Sequence, residues 1–164
     1  MKKTLVLTIA LLLSAYCMAQ QQLSFPFQGG SKIMTRFFKD SLTVSPEIVK
    51  SRAAGLVIFK FSADDKGTIK KLIVYYADDA ILVPPIIEAL KRSNHKWIIP
   101  DNEKVHDFIL PVSISFNPPA QVSTLEEKVF YNTYKKRKPI LTLNQVPLDM
   151  ATLLPTVIVN YDLD

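Results

Sequence analysis

Between residues 55 and 63 the chain alternates with a period of two: Val57, Phe59, Phe61 and Ala63 fall on one side of an extended ribbon, and Leu56, Ile58, Lys60 and Ser62 fall on the other. Asp64-Asp65-Lys66-Gly67 follows as a turn, with Gly67 free to take a positive φ, and a second extended run covers 68–76. The two runs are expected to pair as an antiparallel hairpin with one apolar face to be covered. In the second run Ile69 is out of phase with Leu72 and Val74, so a bulge is expected between Ile69 and Leu72.

Helical spacing flanks the hairpin. Met34, Phe37, Phe38 and Leu42 share one face of a helix over 34–42, and Ser45 before Pro46 forms an N-cap with proline at the first helical position, for a short helix to about Arg52. After the hairpin Val83, Ile86, Ile87 and Leu90 make a second stripe, whose start is restricted by Pro84 and Pro85 and whose end is marked by Ser93-Asn94. A third strand over 107–116 puts Phe108, Leu110, Val112, Ile114 and Phe116 on one face, with Pro111 on the other. Proline cannot donate to a ladder, so this strand is expected at the edge of the sheet. Beyond it, 124–136 is a weakly striped helix carrying Leu125, Val129 and Tyr131 or Asn132, and 140–146 and 156–161 are candidate short strands. No internal repeat is present. The resulting division is a lead-in over 20–33, a domain over 34–116 and an extension over 117–164.

The first nineteen residues have the parts of an export signal: Lys2 and Lys3, an apolar run over 5–15, and small side chains before a polar stretch, with cleavage expected after Ala19. The apolar stretch, 4–19, is shorter than the roughly 20 residues of a spanning helix, so no transmembrane helix is expected after cleavage. Lipid attachment at Cys17 is the rival reading, weakened by the bulky Tyr16 before it. Cys17 is the one cysteine, so the processed chain of 145 residues has neither a disulfide nor a cysteine nucleophile. Without Lys2 and Lys3 the net charge of +5 falls to +3, too mild to imply nucleic acid. A periplasmic or secreted location follows.

The candidate chemical groups have structural readings. His95 and His106, the two histidines, lie eleven residues apart with Trp97 and Pro100 between them, which is not the spacing of a helical metal pair, and they read as surface residues. Asp64-Asp65-Lys66-Gly67 resembles part of a calcium loop, but Lys66 stands where a ligand is required. The side chains of Asp78-Asp79 and Glu126-Glu127 diverge, which makes acid–base partnership unfavourable. Lys135-Lys136-Arg137-Lys138, beside Tyr131 and Tyr134, reads as a solvated helix end, with an anionic partner as the alternative. Tyr75 and Tyr76 point to opposite sides of their strand. No nucleophile elbow, phosphate loop or dinucleotide fingerprint is present among the four glycines. The expectation is therefore a protein that is not an enzyme, with no catalytic residues, no metal and no cofactor.

Taken in order, Ser45-Pro46, Gly55 before Val57-x-Phe59-x-Phe61, Gly67 before Ile69, Val74, Ala89-Leu90, Trp97-x-x-Pro100, Val105, and the run from Leu110 to Phe116 resemble the C-terminal domain of TonB-type energy transducers. That resemblance spans about 80 of the 145 processed residues. It implies an α+β fold: a small antiparallel sheet of about three strands with a helix packed on one face, followed here by a C-terminal extension. It further implies binding of a protein or peptide, such as a segment of an outer-membrane transporter, by strand addition at a free third strand made of Phe108, Ile109, Leu110, Val112, Ser113, Ile114, Ser115 and Phe116, with Ile109, Ser113 and Ser115 facing outward. The membrane anchor and Pro-rich spacer of that family are not recognisable in this sequence. The tail beyond Phe116 could add strands over the same edge, in which case the protein would be structural or self-associating, a homo-oligomer included.

Overall fold

The computed structural model describes residues 25–117, 124–143 and 150–163. The expected export signal, Cys17, residues 20–24 of the lead-in, and 144–146 of the anticipated strand over 140–146 lie outside these. In chain order the elements are helix α1 (Gly30–Ser41), helix α2 (Pro46–Ser51), strands β1 (Gly55–Asp64) and β2 (Ile69–Ala77), a short 3₁₀ turn (Ala80–Leu82), helix α3 (Val83–Arg92), strand β3 (Val105–Phe116), helix α4 (Thr124–Lys135), and strands β4 (Ile140–Leu141), β5 (Thr152–Leu153) and β6 (Val157–Tyr161).

The fold is α+β, but among the described residues the sheet has six strands rather than about three. Its order is β4-β2-β1-β3-β5, with β6 also on β3, so the C-terminal tail supplies a strand at each side. β1 pairs antiparallel with both β2 and β3, whereas β5 and β6 run parallel to β3. β4 and β6 fall within the candidate strands over 140–146 and 156–161, whereas β5, of two residues, carries too little periodicity to be read locally.

The hairpin forms as its residues dictate. Asp64 Oδ1 accepts the amides of Lys66 and Thr68 at 3.0 and 2.8 Å, and Gly67 has φ 71°. A Cβ at Gly67 would lie 2.6 Å from the Trp97 carbonyl oxygen, so the turn requires glycine for space as well as for its backbone angle. The expected bulge is present: the register shifts between Ser62 and Ala63, opposite Lys71 and Ile69, which returns Ile69 to the face of Leu72 and Val74. A second shift, between Ile58 and Phe59 opposite Tyr76 and Val74, places the extra residue at Tyr75.

α1 begins at Gly30, four residues before the expected 34, and buries Met34 and Phe38. Ser45 caps α2 by accepting the Ile48 amide at 3.4 Å, with Pro46 in the first turn. α1 packs near α3 and β6, and α3 packs near β2, so the helices cover the sheet face that carries Val57, Phe59, Phe61, Phe108, Leu110, Val112 and Ile114. The lead-in is less free than its composition suggests. Phe27 is buried, and Gln28 and Ile98 donate their amides to Lys96 and Pro26 across a bridge between Phe27 and Trp97.

Asp64 gives the fold a pH dependence. Its hydrogen bond to Lys70, followed by those from the backbone amides, holds its carboxyl down at about 2. The unfolded chain takes up the proton first, near the ordinary carboxylate value, so the stabilisation is complete above that value and is lost as pH falls through about 2. Urea midpoints for the wild type and Asp64→Asn are therefore expected to differ most above about pH 5 and to converge by about pH 2. A difference that stays constant across this window would contradict the assignment.

Candidate partner-binding edge

The strand expected to stand free does not. β3 is internal, and its outer ribbon is occupied by the chain's own tail: Phe108 and Ile109 are in register with Thr152 and Leu153, and the run from Val112 to Phe116 is in register with Val157 to Tyr161. Leu154 donates its amide to the Ile109 carbonyl at 2.9 Å, and Asn117 donates to Tyr161 at 2.8 Å. The residues Phe108, Ile109, Leu110, Val112, Ser113, Ile114, Ser115 and Phe116 are thus correctly placed on a strand but are not an accessible edge. Phe108, Leu110, Val112 and Ile114 are buried in the core, and Ile109, Ser113 and Ser115 are half-buried on the opposite face.

Pro111 shows why the edge expectation failed. Successive residues of a strand present their amides to alternate sides. Asn117 donates toward β6, so the missing donor of Pro111, six residues earlier, also falls on the tail side. At this point the tail is interrupted between β5 and β6, around Pro155. One absent donor breaks a ladder locally; it does not leave the whole strand without a neighbour.

The tail belongs to the core. Leu154, Val157, Val159 and Tyr161 are buried, and the Tyr161 hydroxyl donates to the Ala53 carbonyl at 2.8 Å. Burial pushes that hydroxyl up to about 12, so it remains a donor through neutral pH. At the other end of the tail, His106 Nδ1 lies 2.7 Å from Glu103 Oε2 and Nε2 lies 2.7 Å from Thr152 Oγ1. A line of carboxylate, imidazole and hydroxyl activates the hydroxyl in acyl-transfer enzymes. Here Thr152 stands within β5 and the His106 ring packs edge-on against Phe108 at 4.9 Å, so the line fastens β5 to β3. The surface reading of His106 is corrected: it is 9 % exposed. Its alternation with Phe108 and Leu110 is the sequence signal that places it inward. His95 is exposed, with φ 65°.

The remaining candidate groups are separate. Asp78 accepts the Leu56 amide at 2.7 Å and the Tyr76 hydroxyl, and Asp79 caps the 3₁₀ turn. Burial pushes the Asp78 carboxyl up, but these hydrogen bonds and Arg137 outweigh it and leave it below the ordinary range. Gly55 permits this approach, since a Cβ there would lie 2.5 Å from that of Asp78. Of the basic run, Lys135 stacks on Tyr131, and Arg137 stacks on Tyr134 while donating to the Ala54 carbonyl. Among the described residues no three His, Cys, Asp or Glu side chains are grouped to hold a metal ion, and no helix is long and apolar enough to cross a membrane. A cavity of about 420 Å³ lined by Val44, Pro46, Val49, Lys50, Arg52 and Leu163 lies beside α2, near the Tyr161 end of the sheet.

With β3 covered, the edges of the sheet are β4, with β2 beyond it, on one side and β5 and β6 on the other; β4 and β5, of two residues each, offer too short a ribbon for a ladder, which leaves β2 and β6. β2 is guarded by the exposed Lys70 and Lys71, by its two bulges, and by Asn94, whose Oδ1 accepts the Ile69 amide at 2.9 Å. β6 has no such guards. Tyr161 accepts from Asn117 on the β3 side, so by alternation Val157 and Val159 also face β3, while the amides and carbonyls of Ile158 and Asn160 face away from it, with no partner among the described residues. Comparison with known proteins finds no matching family model, no matching curated protein and no matching solved structure.

Proposed function

We propose that the protein is an exported, periplasmic, non-catalytic module that binds a protein or peptide by strand addition, and that the accepting edge is β6. The observation that carries this reading is the unguarded outer ribbon of Ile158 and Asn160, opposite a β2 edge defended by Lys70 and Lys71. The N-terminal signal supports export, and the resemblance to TonB C-terminal domains supports an envelope role linked to outer-membrane transport, with a transporter segment as the kind of partner it implies. In that family the third strand accepts the partner; here the tail occupies that position, so the accepting surface moves one strand outward.

Asn160→Pro tests this, because the lost amide points away from β3 and an edge proline is tolerated where its missing donor faces solvent. Tagged wild-type protein in envelope extracts of cells that also express an untagged copy is expected to retain a partner, itself or another protein, that Asn160→Pro loses while its melting curve is unchanged. Retention of nothing, or retention indifferent to the proline, would overturn strand addition at this edge.

A further inference from the structure

We infer that the strand added at β6 is β6 of a second copy, running antiparallel about Val159; the inference rests on the strand-addition reading and names its partner. Within the bounds of β6, the outward-facing residues are Ile158 and Asn160, one on each side of Val159. A two-fold axis through Val159 sets Ile158 opposite Asn160 of the other copy, and Asn160 opposite its Ile158. In an antiparallel ladder each such outward pair exchanges both of its bonds, so all four amides and carbonyls of the two residues in each copy are satisfied. A pivot on Ile158 or Asn160 would pair that residue with itself and set the other outward residue against Thr156 or Asp162, outside β6, and a pivot between residues would set inward-facing groups against outward-facing ones.

Charge and side chains favour the same arrangement. Val157-Ile158-Val159-Asn160-Tyr161 carries no charge, and the neighbouring Asp162 falls opposite Thr156 of the other copy, so like charges do not meet. A parallel pairing would set Asp162 against Asp162. Ile158 is 54 % exposed and its side chain lies on the face away from the core, where the seam would bring it diagonally close to Ile158 of the other copy. Two-fold pairs are the commonest form of self-association, and a self-matched patch is what they require.

The processed chain has no cysteine, so engineered thiols report the register. Opposed residues of a non-hydrogen-bonded antiparallel pair have Cα atoms about 4.5 Å apart, within the range of a disulfide. Val159→Cys is therefore expected to give a disulfide-linked dimer on mild oxidation, whereas Asn160→Cys, which faces Ile158, is not. Light scattering is expected to show a dimer whose mass halves in Asn160→Pro and in Ile158→Lys, the second being a surface change that leaves the core intact. A monomeric wild type, a dimer indifferent to both substitutions, or cross-linking of Asn160→Cys as ready as that of Val159→Cys would overturn the inference. A monomer that still retains a different protein, in a manner lost in Asn160→Pro, removes self-pairing and leaves strand addition standing.

Discussion

Ending the chain at Met150, which deletes β5 and β6, is expected to abolish the stable fold of the chain. The deletion removes the buried side chains of Leu154, Val157, Val159 and Tyr161. Each is worth about 1.5–3 kcal/mol of burial, so together they approach the roughly 5–15 kcal/mol that holds a whole domain folded. The cut also opens the outer ribbon of β3 beside the apolar face it shares with the core, a template for aggregation. Circular dichroism melts and size-exclusion profiles after refolding check this: the expected results are a lost or broad transition and high-mass material. A truncated chain that melts cooperatively near the wild-type temperature and elutes as a monomer would show that the tail is an appendage. Tyr161→Phe is the mild counterpart, expected to cost about 1 kcal/mol through the bond to the Ala53 carbonyl.

Trp97→Ala is expected to be the most damaging single substitution away from the tail. The indole is 3 % exposed and its ring lies 4.6 Å from Phe61, 5.1 Å from Phe27, 5.4 Å from Phe108 and 6.3 Å from Phe38, between centroids. It thereby joins the lead-in, α1, β1 and β3. Its Nε1 donates to Ser93 Oγ at 2.9 Å, and that hydroxyl donates to the Leu90 carbonyl at the end of α3. Truncating a buried tryptophan to alanine costs about 3–5 kcal/mol. Urea unfolding followed by circular dichroism measures this, since the protein has no other tryptophan for fluorescence. Trp97→Phe keeps most of the ring packing but loses the bond to Ser93, and should fall between the two. A cost below about 1 kcal/mol for Trp97→Ala would mean that the aromatic cluster is not a keystone of the core.

Period and turn chemistry determined much of this molecule locally. The alternation from Val57 to Ala63, the Asp64-to-Gly67 turn, the bulge that brings Ile69 into phase, the Ser45 cap and the apolar faces of α1 and α3 are all legible in short windows, because each depends on neighbours a few residues away. Which strand lies beside which depends on partners far along the chain. The same alternation buries Phe108, Leu110, Val112 and Ile114 whether β3 is internal or at an edge, so its outer neighbour was not written in β3. Only the tertiary structure decided it: β6 brings its own buried alternation of Val157, Val159 and Tyr161 to the ribbon of β3, and in doing so moves the open edge to Ile158 and Asn160.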